Sequence, residues 1–177
     1  MDRRLFLAGA AGAGLAASLG LPAFALPSTQ PLELEDAAAE AWIYGVMLIE
    51  NAQSRSNIAP SPPNTLIHAY ELTTVKTQWV TTPNNDTLYS IAWLDLSAGP
   101  VEVGVATMPE GRYWSVAFMD AFTNNFAMLG QRLDARGPVR VMVAGPAHHG
   151  APVSGRLIRA PGDDVWLLAR WIVDGPA

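Results

Sequence analysis

Residues 81–105, "TTPNNDTLYSIAWLDLSAGPVEVGV", decide how this chain is read. Tyr89, Ile91 and Trp93 alternate with Ser90, Ala92 and Leu94. Val101, Val103 and Val105 then alternate with Glu102, Gly104 and Ala106. Successive side chains of an extended strand point to opposite faces, so a period of two is the mark of a strand with one buried side. Between the two runs stands Ser97-Ala98-Gly99-Pro100, residue types that favour a turn over continued strand. The stretch therefore reads as two short strands and their connection.

The same period recurs downstream. Trp114, Val116 and Phe118 form one run, and Val139, Val141 and Val143 another. Val165 to Val173 is apolar nearly throughout, which predicts a strand buried on both faces. Upstream, Val75, Thr77 and Trp79 alternate with Lys76, Gln78 and Val80. Turn signals separate the runs at Pro109-Glu110-Gly111, Arg136-Gly137-Pro138, Gly145-Pro146 and Pro161-Gly162. Six or seven short strands so punctuated predict a mainly β fold, an antiparallel sandwich or a strongly curled sheet.

Before Thr74 the period is that of a helix. Within Glu35 to Gln53, Ala38, Ala41, Trp42, Gly45, Leu48, Ile49 and Ala52 fall on one apolar face. Glu35, Asp36 and Glu40 place negative charge near the positive end of the helix dipole. The expectation is an N-terminal helix packed on the sheet, with Gly45 marking a close approach. The prolines of Ile58 to Thr65 end it.

Half of the 177 residues are hydrophobic and only 15% are charged, so the chain can bury a core rather than stay disordered. A net charge of −5 and a single lysine, Lys76, speak against nucleic acid, whose binders present dense positive fields. With no cysteine, the chain has no disulfide, no thiolate metal site and no cysteine nucleophile.

Residues 1–25, "MDRRLFLAGAAGAGLAASLGLPAFA", have a basic start, an Ala/Gly/Leu-rich middle and Ala23-Phe24-Ala25 at the end. That layout is an export signal cleaved after Ala25, and Arg3-Arg4 before Leu5-Phe6-Leu7 resembles the twin-arginine class. An uncleaved anchor is the rival, but five helix-weakening Gly and Pro residues interrupt the segment. The expected organisation is a signal at 1–25, a tether at 26–35 and one domain at 36–177. The expected location is the periplasm, with no membrane span left after cleavage.

Two polar clusters invite a chemical reading. Asn84, Asn85 and Asp86 follow Pro83, and Asp120 precedes Thr123-Asn124-Asn125. Asn and Asp bond their own backbone and tolerate left-handed conformations, so both clusters read as turns. Alternatively, the carboxamides of Asn84 and Asn85 orient a polar ligand while Asp86 serves as a general base or metal ligand, and Asp120 with Asn124 and Asn125 repeats this chemistry at another strand end. That second reading requires all six side chains to meet on one rim of the sandwich.

Other candidates are weaker. His148 and His149 are adjacent and would point to opposite faces of a strand, so no metal site is expected; "GPAHHGAP" reads as a surface loop. His68 packs or caps. Asp163-Asp164 reads as a turn after Pro161-Gly162. Ser90, Ser115 and Ser154 lack the Gly-x-Ser-x-Gly elbow of serine hydrolases, and no Gly-rich phosphate loop is present. Arg112 could pair with Asp120 and orient the rim. Tyr89 and Tyr113 could offer a hydroxyl or seal the core.

Taken in order, "AWIYGVML", "TPNNDTLYSIAWLDLSAGPV", "GRYWSVAFMDAFTNNFAMLG" and "VWLLARWIVDG" resemble the domain of unknown function 1254 family over roughly residues 36 to 175. The resemblance implies a bacterial, often exported, β-rich protein with helical structure at its N-terminal edge. Many longer members carry a downstream 1214-type module, so this chain looks like the short form, with that module on a separate polypeptide. No activity or cofactor follows from the resemblance. Two expectations remain: an interaction module pairing with a 1214-type partner or with itself, and a small-molecule binder or enzyme using the Asn/Asp rim.

Overall fold

The computed structural model describes residues 33–58, 61–74, 84–153 and 155–173. The export signal with Arg3, Arg4 and Ala25, most of the 26–35 tether, the Val75–Trp79 run and Ser154 lie outside the described residues. The chain divides into two compact units, residues 1–41 and 42–177. In the first, the described residues are Glu33 and the opening turns of a helix.

That helix, α1 (Leu34–Ile58), carries Glu35 and Asp36 in its first turn and Arg55 in its last, as the helix dipole favours. It runs five residues beyond the expected Gln53, because nothing in Ser54-Arg55-Ser56-Asn57-Ile58 breaks a helix before Pro60.

The second unit is built from eight described strands in two sheets. In chain order they are β1 (Ile67–His68), β2 (Thr87–Asp95), β3 (Val101–Val105), β4 (Trp114–Met119), β5 (Asn125–Gly130), β6 (Val139–Ala144), β7 (Arg156–Arg159) and β8 (Asp164–Ile172). A one-turn helix, α2 (Gln131–Asp134), follows β5. One sheet has the order β1-β2-β8-β4-β5 and the other β3-β6-β7. All pairings are antiparallel except β6 with β7. The long connection over residues 145–155 lets the chain cross back and enter β7 in the same direction as β6.

The sheets pack face to face, and the alternation seen in the sequence sets which side chains meet. Ala92, Leu94, Trp114, Val116, Phe118, Val165, Leu167 and Ala169 project from the larger sheet onto Val103, Val105, Val141, Val143 and Ile158 of the smaller. Trp114, Phe118, Leu129 and Val141 are wholly excluded from water. Each such side chain stabilises the fold by roughly 1.5–3 kcal/mol relative to exposure, so this layer holds the domain together.

The outer face of the larger sheet differs from expectation. In β8, Val165, Leu167 and Ala169 are buried, but Trp166 and Leu168 are half-buried and Arg170 is exposed. The strand is thus one-sided rather than buried on both faces, because among the described residues α1 covers this face only near Trp166.

Candidate functional site

The two Asn/Asp clusters are both turns, and the strand register sets them apart. Asn84-Asn85-Asp86 leads into Thr87, which pairs with Ile172 at the end of β8. The Asn84 side-chain oxygen accepts from the Asp86 backbone N–H at 2.7 Å, and Thr73 donates its hydroxyl to the Asn84 carbonyl. Asp120 follows Met119, which pairs with Trp166 near the start of β8. The clusters therefore sit at opposite ends of the sheet. The eight steps between the first and last residues of β2, at roughly 3.4 Å each, place about 27 Å between those ends.

The single rim that the ligand reading requires is not formed. Asp120 is also fully engaged in its own turn. One carboxylate oxygen accepts from the N–H groups of Phe122 and Asn124, each at 2.9 Å, and the other from the Asn124 carboxamide at 3.1 Å. Thr123, at φ 63°, supplies the left-handed residue, and Asn125 opens β5. Arg112 precedes β4 and donates to the Ile172 carbonyl, so it stands at the far end of the strand from Asp120. The anticipated Arg112–Asp120 pair is excluded by the length of β4.

Sequence reasoning passed over a different constellation, at the junction of α1 and the outer sheet face. The Asn51 oxygen accepts from the Trp93 indole N–H at 3.1 Å, while its amide donates to the Ala121 carbonyl at 3.2 Å. Arg55 lies 3.7 Å from Asp164, the register partner of Asp95. Trp93 and Trp166 stack with their rings 5.8 Å apart and 1° from parallel. Leu48, Ala52 and Val165 complete a cavity of about 210 Å³. Arg55 also acts on one perturbed acid outside the cavity lining: hydrogen bonds from the Ser97 hydroxyl and backbone N–H, helped by the Arg55 charge, hold the Asp95 carboxyl below its ordinary value. The sequence signal was available. Leu48, Asn51, Ala52 and Arg55 are helix neighbours, and Asn51 and Arg55 are the polar residues within that stripe.

A second missed arrangement is internal. Ser90, 2% exposed, accepts from the Trp171 indole at 2.8 Å and lies 2.7 Å from Nδ1 of His68, its cross-strand neighbour. A donated Trp171 N–H leaves the Ser90 hydroxyl free to donate to His68, whose ring is itself exposed at the sheet edge, so the buried Ser90 hydroxyl is fully satisfied. The burial of Ser90 leaves a substrate no approach, which makes this a structural bond.

Among the described residues, α1 exposes the longest apolar run. Eight consecutive residues, Trp42-Ile43-Tyr44-Gly45-Val46-Met47-Leu48-Ile49, are apolar or glycine, and this run winds round the whole helix. Trp42 is 64% and Ile43 70% exposed, and Tyr44, Met47 and Ile49 are also in water. Tyr44 meets Phe122 at 5.1 Å, and the helix seats itself on the sheet through Leu48, Asn51, Ala52 and Arg55. The expected apolar face meets the sheet only in part: Leu48 and Ala52 line the cavity although both stay exposed, while Trp42 and Ile49 face water. Gly45 has open space around it, so no close approach explains it.

Among the described residues, no helix is long and apolar enough to cross a membrane, and no group of three or more His, Cys, Asp or Glu side chains could hold a metal ion.

Comparison with known proteins gives a family and a fold. The family described as "Protein of unknown function (DUF1254)" matches residues 63–177, a span that contains both Asn/Asp clusters and all eight strands but not α1. No curated protein matches the chain. The solved VPA0106 protein from Vibrio parahaemolyticus is 30% identical over 78% of this chain, with a TM-score of 0.62. An uncharacterised protein from Burkholderia cenocepacia is 17% identical over 81% of this chain, with a TM-score of 0.49. The chain spans only 33% and 42% of those two proteins, respectively.

Proposed function

The chain belongs to the DUF1254 family, and from that premise we propose that it is an interaction module, one half of a two-part assembly whose other half covers α1 between Trp42 and Ile49. The exposed apolar run carries the reading. A helix that is hydrophobic all round is stable in water only when something surrounds it. Covering the exposed parts of Trp42 and Ile43 alone would contribute roughly 2–4 kcal/mol. The solved relative at 30% identity supports the reading, since two thirds of that protein lies outside the shared part. A 1214-type module is the proposed partner. A lipid surface suits the helix less well, because Glu35, Asp36, Glu40 and Glu50 would be repelled by anionic headgroups.

The test mixes the full chain with a purified 1214-type module and follows the heat of mixing and the binding of a hydrophobic dye. Complex formation with loss of dye binding is expected, and Trp42→Ser with Ile43→Ser should weaken it at least tenfold. A full chain that binds no dye and ignores the module overturns the proposal.

The same proposal places the mature protein in the periplasm, with residues 1–25 removed after Ala25 by the twin-arginine route. A mature N-terminus at Leu26, and cytoplasmic retention of the Arg3→Lys, Arg4→Lys variant, are the expected results. An intact N-terminus on exported protein would refute the cleavage.

A second reading rests on the cavity beside Asn51. Its wall includes Trp166, whose buried indole N–H has no acceptor among the described residues, and a small oxygen-bearing ligand would supply one. The volume argues against it as the main role, since about 210 Å³ falls below the roughly 300–1,000 Å³ usual for ligand sites. Quenching of tryptophan fluorescence by small carboxylates or sugars, abolished by Trp166→Phe, would be its signature. An unchanged spectrum across such a screen removes it.

A further inference from the structure

A strand at the edge of a sheet presents unpaired N–H and C=O groups, and folded proteins usually blunt such edges with charge, brevity or cover. Three of the four edges here are blunted. β1 is two residues long, and around it Asn64 and Ala69 donate their backbone N–H groups to the Trp93 and Tyr89 carbonyls of β2. In β3, Glu102 stands mid-strand and pairs with Arg140 at 2.7 Å. β7 is bracketed by Arg156 and Arg159. The fourth edge differs. β5, "NFAMLG", carries no charge and no proline, its one protection being a bulge at its first residues where it pairs with Phe118 and Met119 of β4, and among the described residues no strand pairs with its outer side.

Its surroundings are apolar as well. Met128 is 49% and Leu133 68% exposed, and with Tyr113 they border a depression of about 250 Å³ alongside the strand end. This end is held firmly. Gly130 donates its N–H to Asp134 at 3.0 Å, and Asp134 is in turn 3.4 Å from Arg156.

We propose that β5 pairs antiparallel with β5 of a second copy of this chain, joining two five-stranded sheets across a two-fold axis. Self-pairing fits the charge as well as the backbone. Arg132 lies just past one end of β5 and the Asp120 turn just before the other, so antiparallel alignment brings Arg132 of one copy alongside the acidic turn of its partner. The exposed Met128 side chains then cover each other, and the outward backbone groups of each strand satisfy those of the other. This surface is separate from the one proposed for α1, and the inference does not rest on that reading.

The chain has no cysteine, so a single introduced one reports proximity cleanly. In the full chain, Met128→Cys should form a disulfide-linked dimer on mild oxidation, while Val153→Cys, at a 94% exposed site away from β5, should not. Sedimentation of the unaltered chain at tens of micromolar should show a dimer. Met128→Lys sets two like charges close together across the axis and should raise its dissociation constant about tenfold or more. Because Met128 is exposed, the lysine variant should keep its circular dichroism. As a second readout, amide exchange in β5 should slow with protein concentration. A chain that sediments as a monomer, with no Met128→Cys cross-link and concentration-independent exchange in β5, overturns the proposal. So does a dimer that Met128→Lys leaves intact but Trp42→Ser with Ile43→Ser dissolves, since the contact would then belong to α1.

Discussion

Asn51 is the residue that joins α1 to the sheet, and Asn51→Ala tests that claim. The substitution removes two hydrogen bonds, one from the Trp93 indole at 3.1 Å and one to the Ala121 carbonyl at 3.2 Å. Each is worth about 1 kcal/mol net, and stranding an indole N–H on a side chain only 7% exposed adds up to about 1 kcal/mol more. Alanine suits a helix better than asparagine by about 0.6 kcal/mol, which offsets part of the loss. The expected net cost is about 2 kcal/mol, or roughly 4–8 °C in Tm for a chain of this length. Urea unfolding followed by tryptophan fluorescence would measure it. A double-mutant cycle with Trp93→Phe isolates the bond, because the damage to the Trp93–Trp166 stack occurs in both backgrounds. A coupling of about 1 kcal/mol is expected. If Asn51→Ala costs less than about 0.5 kcal/mol, or the two changes simply add, the helix is not held by this residue.

Three further expectations concern the rest of the fold. Ser90→Ala should cost about 1–2 kcal/mol in denaturant unfolding, because it strands the Trp171 indole N–H while water takes over at the exposed His68 ring; a near-neutral result would mean that the hydroxyl bridge is unimportant. Asp120→Ala should destabilise by about 2 kcal/mol through loss of the β4–β5 turn, with exchange rising first at Phe122 and Asn124. Asp95 has a folded-state pKa below its ordinary 3.8, so its contribution is present above that value and is lost as pH falls through the lower, folded one. Acid unfolding of Asp95→Asn should accordingly be shallower below about pH 4 than that of the unaltered chain, and identical acid limbs would contradict the assignment.

The strands were legible because a period of two is a local property. Trp114, Val116 and Phe118 announce a buried face in five residues, and that face is buried. The turns were legible for a similar reason: Asn84 and Asp120 bond backbone within four residues of themselves. What local pattern could not carry was distance. Two chemically similar clusters at strand ends look like partners, yet pairing through β8 sends β2 and β4 in the same direction, so the start of one lies far from the end of the other. The face of α1 was only partly legible, for a related reason. A run that is apolar on every side has no preferred face, and the choice fell to Asn51 and Arg55, polar residues that find partners only on the assembled sheet.

The sequence by itself therefore determined the mainly β class, the helix ahead of it, the turn chemistry of both Asn/Asp clusters and membership in a family, all of which rest on residues near one another in the chain. Tertiary structure alone decided that the clusters stand at opposite ends, that Ser90 meets His68 and Trp171, that Trp42 and Ile43 face water, and that among the described residues no strand covers the outer edge of β5. Each of these depends on which strands pair and in what order. That order is set by how the whole set of apolar faces can be buried at once, which no short stretch of sequence records.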